Sequence, residues 1–220
     1  MQNINQAGLY LAVSIVLFIM MLLIYRKGSN LTNSTFMFST LFFSAFSFMS
    51  FVNTMEFFGT PPVMWLNYII SSLFTLGPIG IFYSSLIILH GDYYIKNKKI
   101  ILFSLVYILV MQIAILIPII IPDLINLEGR YFTAINDYSV MLLTGLTTMN
   151  FYKISNSVEE IKKNMQYLVI GMSTATIGVF IVASLKFLQM STIIPIGLGI
   201  ILIGLFFSIY AFISRPQSSK

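Results

Sequence analysis

Residues 99–122 read KIILFSLVYILVMQIAILIPIIIP, a run whose one charge, Lys99, sits at its edge. A helix needs about 20 predominantly apolar residues to cross the hydrocarbon core of a bilayer. Backbone N–H and C=O groups find no water there, so such a run must pair them internally, as a helix. Six more runs of the same character flank it, at 8–25, 36–57, 63–90, 131–152, 165–187 and 192–213. The expected fold is all-α: an integral membrane protein, a seven-transmembrane helix bundle forming one domain over 1–220.

Charge gives the expected orientation. Arg26, Lys27, Lys96, Lys98, Lys99, Lys153, Lys162, Lys163, Arg215 and Lys220 fall on alternate connections, leaving Arg130 and Lys186 on the other side. Basic residues concentrate in cytoplasmic loops. The expectation is an N-terminus outside, a cytoplasmic C-terminus and a multi-pass position in the plasma membrane. With Asp92, Glu159 and Glu160 on the same side, the cytoplasmic rim carries a net charge of +7, suited to anionic headgroups. The sequence pI of about 9.4 is thus a membrane-surface signal, and no nucleic-acid partner is expected.

Several chemistries are excluded at the level of residue type. Cysteine is absent and His90 is the one histidine, so no disulfide framework, thiolate nucleophile or metal site is expected. No phosphate-binding glycine loop, nucleophile elbow or His-Glu-x-x-His motif occurs, and no cofactor is expected. The leading MQNINQ carries no positive charge, while Arg26 and Lys27 follow the first apolar run. That order suits a retained N-out anchor better than a cleaved signal peptide. The sequons at Asn30 and Asn33 fall on the expected cytoplasmic side and read as chance matches.

Two connections carry local signals. The segment from Pro122 to about Asp137 reads as the longest outer loop, with Tyr131 and Phe132 suited to a headgroup position. In the fifth loop, Ser157 and Glu160 have capping-box spacing, which predicts a helix start near Val158. An unbroken helix to Leu188 would have about 30 residues and a length of roughly 45 Å. The hydrocarbon core takes about 30 Å of that, so VEEIKKNMQYL, at 158–168, is expected to protrude as a charged stub. It is either an ordinary solvated helix end or a surface for a protein partner.

Polar groups at membrane depth are costly and are the default functional candidates. Thr40, Ser44, Ser47 and Thr54 fall within about 80° on one face of span two, a pattern that suits helix packing. Asn53 and Glu56 lie near the outer end of that span. In span three, Gly77-Pro78-Ile79-Gly80 predicts a central kink. Trp65 and Tyr68 share a face near its outer end, either lining an outward pocket or forming an interfacial belt. Gly171, Ala175 and Gly178 lie within about 60° on span six, with Lys186 nearly in line. Lys186 either snorkels to water or pairs with an outer carboxylate, Glu56 or Asp137, with Glu56 slightly favoured. The candidate ligand or ion-pair residues are therefore Glu56, Lys186, Asn53, Trp65, Tyr68 and Asp137.

The layout resembles the N-terminal seven-transmembrane region of some microbial sensor histidine kinases. The likeness covers about residues 8–215 and is most recognisable from Phe151 to Arg215. Polar helix-start residues there lead into NMQYLVIG at 164–171, Pro195 opens span seven, and the chain leaves through SIYAFISR at 208–215. The passage from Trp65 through Pro78 to Leu89 is similar to that family's third span. Two departures stand out: Phe and Met replace a tryptophan expected in span two, and seven residues follow Ile213. Neither a phosphoacceptor-histidine region nor an ATP-binding domain is found in the sequence. The resemblance thus implies a stand-alone, non-enzymatic sensor module that binds a small or lipophilic ligand and signals through a kinase or other partner. Two alternatives stand beside it: an accessory structural subunit of a membrane complex, held by small-residue helix faces, and a small carrier or channel. Residues 192–213 hold no lysine, which excludes a retinal protein.

Overall fold

The computed structural model describes residues 2–28, 30–55, 64–120, 125–157, 162–188 and 190–213. Among them are seven α-helices: α1 (Gln2–Arg26), α2 (Leu31–Thr54), α3 (Met64–His90), α4 (Lys98–Ile120), α5 (Ile125–Ser157), α6 (Lys162–Phe187) and α7 (Ile194–Ile213). Six of these, all but α5, are long and apolar enough to cross a membrane. The chain therefore has the make-up of a multi-pass, all-α membrane protein. The helices alternate in direction, so one end of the bundle gathers Arg26, Lys98, Lys153 and Lys162; we call it the basic end.

Six helices close a ring in the order α1, α2, α3, α5, α6, α7, with α7 returning to α1, while α4 lies outside against α3 and α5. Hydroxyls stitch neighbours together at matching depths. Ser14 and Ser44 each donate to the other's carbonyl at 3.0 Å, joining α1 to α2. Thr35 and Ser84 join α2 to α3 at 2.6 Å, and Asn150 donates to Ser85 at 3.0 Å from α5 to α3. In lipid, helices gain nothing from burying apolar surface against each other, so packing and interhelical hydrogen bonds hold them. α6 lies close on α7, where Gly171 meets the backbone of Gly204 and Gly178 that of Gly197. The small-residue faces expected to dock a partner are thus filled inside the chain.

At the basic end an aromatic core ties the ring. Phe36 stacks on Phe151 at 5.7 Å and meets Phe212 edge-on at 5.3 Å, with Met20, Ile24, Ile154, Met165 and Leu168 around them. Lys27, just past α1, donates to the Phe212 carbonyl in the last turn of α7. A cation there complements the helix C-terminus.

Two expectations at the connections change. The expected outer loop over 122–137 is helical from Ile125, so α5 has 33 residues, about 50 Å of helix. Polarity marks where an apolar stretch stops, but the helical backbone continues wherever its own hydrogen bonds can form. Ser157 is the last described residue of α5, its hydroxyl donating to the Ile154 carbonyl at 3.0 Å, and the helix start expected near Val158 lies outside the described residues. The expected stub is also not free-standing: 158–161 lie outside the described residues, while Met165 and Leu168 are buried in the aromatic core. Asn30 has a structural role instead, since its side chain caps α2 by accepting from the Asn33 N–H at 2.7 Å.

Candidate functional site

The ring encloses a cavity of about 120 Å³, lined from every helix except α4. Along α6 it runs from Leu168 to Val179, about 16 Å at 1.5 Å per residue; it is a narrow slot parallel to the helices. Aromatic rings form much of its wall, with Tyr10 from α1, Phe36, Phe43 and Phe46 from α2, and Phe74 from α3. Six lining residues carry hydroxyls, Tyr10 and Ser47 among them, and the other four each donate to a carbonyl of their own helix. Thr40 bonds Phe36 at 3.1 Å, Thr144 bonds Val140 at 3.0 Å, Thr176 bonds Met172 at 2.8 Å and Ser208 bonds Gly204 at 3.0 Å. With those four donors engaged, the wall is mostly apolar, the kind of surface that accepts hydrocarbon.

At the end away from the basic residues lies a second void, of about 30 Å³. It shares Tyr10, Phe46, Phe74, Val179, Leu198 and Ile201 with the slot and adds Asp137, Val182 and Lys186. The Lys186 ammonium is 3.5 Å from Asp137 Oδ2, and the two side chains are 34% and 7% exposed. The pair is therefore asymmetric: a nearly buried carboxylate with a lysine that still reaches the surface. Beside it, Asn136 is buried, and its Oδ1 has no hydrogen-bond partner among the described residues.

The candidates from sequence divide accordingly. Lys186 and Asp137 come together, at one end of the slot. Glu56 lies outside the described residues, and so does the side chain of Trp65, in the first turn of α3. Tyr68 turns to α4, where its hydroxyl donates to Gln112 Oε1 at 2.9 Å, joined by Ser72 at 3.0 Å. Asn53 is half-buried near the end of α2 and lines neither void. In the span-two stripe, Ser44 serves packing, whereas Thr40 and Ser47 face the slot.

Sequence reading missed the aromatic wall and Gln112. A phenylalanine among many apolar residues offers no contrast, so nothing marks Phe43 or Phe46 before the ring is closed. Gln112 did carry a signal, a lone amide in the middle of an apolar run, which is costly at membrane depth. No family model, curated protein or solved structure matches the chain.

Proposed function

We propose that the chain is a seven-transmembrane sensor-type module that holds a lipophilic ligand in the slot and signals through a protein partner at its basic end. The carrying observation is the slot itself, an apolar, ring-enclosed void with one ion pair at its far end. Its floor is also the core of the basic end, since Met20, Phe36, Leu168 and Met172 belong to both. Filling the slot would press on the Phe36–Phe212 contact and so on the last turn of α7. This reading takes α5 as the seventh span. Asp137 and Thr147 of α5 are buried, and the helix sits between α3 and α6 in the ring. It also takes the basic end as cytoplasmic, from the ten-to-two division of basic residues, and the plasma membrane as the location. The likeness to the sensor region of histidine kinases agrees with it.

The test exploits a chain without cysteine. Spin labels on cysteines at the exposed positions Lys153 and Ile213 report the spacing of α5 and α7 at the basic end, in lipid nanodiscs. Saturating dodecanol should shift their distance distribution. An unchanged distribution at saturation would overturn the sensing role.

The alternative of a complex subunit has one observation in its favour: α4 stands outside the ring and exposes Leu102, Leu105, Leu109 and Ile113. A subunit held through α4 should lose its partner on Leu105→Gln/Leu109→Gln while keeping its own fold. Lipid covering that face would leave assembly unaffected.

A further inference from the structure

We infer that the ligand is an electrically neutral, single-chain amphiphile with a small head that both donates and accepts hydrogen bonds, such as a long-chain alcohol or amide. Its chain lies in the slot and its head between Asp137 and Lys186. The inference rests on the slot being a ligand site and adds the chemistry that fills it. Three observations carry it.

The first is charge balance. Asp137 and Lys186 already neutralise each other across 3.5 Å. A carboxylate or sulfate head would leave this end of the slot with a net negative charge, and an ammonium head would leave it positive. Either excess charge, desolvated beside Phe46 and Phe74, is strongly disfavoured. A neutral head leaves the balance intact.

The second is unused hydrogen-bonding capacity. An ammonium carries three donors and a carboxylate about four acceptor sites, yet one long contact joins them, beyond the usual range of about 2.7–3.2 Å. A hydroxyl set beside the pair can accept from Lys186 and donate to Asp137 together. A head that only accepts, or only donates, serves one of the two.

The third is size. The slot is long and narrow but holds about 120 Å³, less than the roughly 150 Å³ cavity that takes benzene, so one slender chain enters it only as the ring helices give way. The void around the pair measures about 30 Å³, and a water needs about 10–15 Å³ on the same measure. There is room for a hydroxyl or amide but not for a phosphocholine or sugar. An intact bilayer phospholipid, with two chains and a large head, fits these voids worse than a single-chain amphiphile.

The test compares four probes with the same chain in nanodiscs: dodecanol, dodecane, dodecyl sulfate and dodecylammonium. A chain-matched monoacylglycerol forms a fifth arm, separating a small free amphiphile from a lipid-derived one. Dodecanol should bind more tightly than either charged probe by on the order of tenfold or more, because like charges brought together without water repel strongly. It should also bind more tightly than dodecane. Asp137→Asn should then invert the order toward dodecyl sulfate, and Lys186→Met toward dodecylammonium. This swap is read within each variant, so overall loss of stability does not mimic it. Tighter binding of a charged probe by the unaltered chain would overturn the neutral head, as would equal binding of dodecanol and dodecane. Monoacylglycerol exceeding dodecanol would overturn the small head. If none of the probes binds, dodecane included, and Val179→Phe or Leu205→Phe changes nothing, the slot is not a ligand site and the proposed function falls with it.

Discussion

Lys186 shows how a single residue can be read in part and completed only by its neighbours. Its helical position, nearly in line with Gly171, Ala175 and Gly178, pointed its stem inward, and a carboxylate partner was expected. Asp137 supplies it at 3.5 Å. Because Asp137 is nearly buried, removing the lysine should cost more than a surface pair would. Lys186→Met should destabilise by about 2–3 kcal/mol, below the 3–5 kcal/mol of a fully buried pair because the lysine keeps some water. Asp137→Asn should cost less, since Lys186 can turn outward. Thermal melts should show the double variant losing less than the sum of the singles; strict additivity would mean the two do not interact. Tyr107 gives the opposite case. Its hydroxyl is buried on α4 and has no hydrogen-bond partner among the described residues. Tyr107→Phe should therefore leave the melting temperature unchanged or raise it, by up to about 1–3 kcal/mol in stability. A clear loss of stability would reveal a partner.

At the level of elements, α6 and α7 depend on glycine where backbones meet. A Cβ on Gly178 would fall 2.8 Å from the Gly197 carbonyl oxygen and 2.9 Å from the Ile201 N. Backbone atoms there cannot step aside without parting the helices. Gly178→Val should therefore reduce the yield of folded, monodisperse protein severely. Gly199 is two residues beyond Gly197 and has open space where its Cβ would lie. Gly199→Ala should be tolerated and gain up to about 1 kcal/mol through helix propensity. Equal behaviour of the two variants would contradict the packing of α6 on α7. The basic end gives a second element-scale test. Phe36→Ala removes both aromatic contacts of α2 with α5 and α7 and should cost about 3–5 kcal/mol. It should also open the slot floor, so bound dodecanol should lose its effect on the Lys153–Ile213 spacing.

For the whole molecule, orientation is the quantity that charge alone forecasts. Single cysteines at Asn30, Asn97 and Ser157 should resist an impermeant thiol reagent in intact cells, while one at Asn126 should react. The expectation follows from ten basic residues on one side against two on the other. Labelling at Asn97 with none at Asn126 would invert the topology. The same experiment tests α5 as a span, because Asn126 and Ser157 lie near its two ends and should respond oppositely.

The sequence by itself determined that the chain is helical and membrane-embedded, because hydrocarbon leaves a backbone no other way to satisfy its polar groups. Six of the seven expected runs appear as helices with the length and apolarity to span; α5 was placed but its start was not. Its polar first turns looked like a loop because composition records solvation, whereas helix continuity depends on backbone hydrogen bonds that polar residues also make. Lys186 and Asp137 were legible as candidates, since a charge among apolar residues stands out. Which carboxylate meets Lys186 was not: Asp137 stood beside a slightly favoured Glu56, because the pair joins α5 to α6 across a distance in sequence that periodicity cannot reach. The slot was decided by tertiary structure alone. It is a property of how six helices close, with α4 left outside, and the rings of its wall are of the same kind as the exposed Phe18, Phe38 and Phe48.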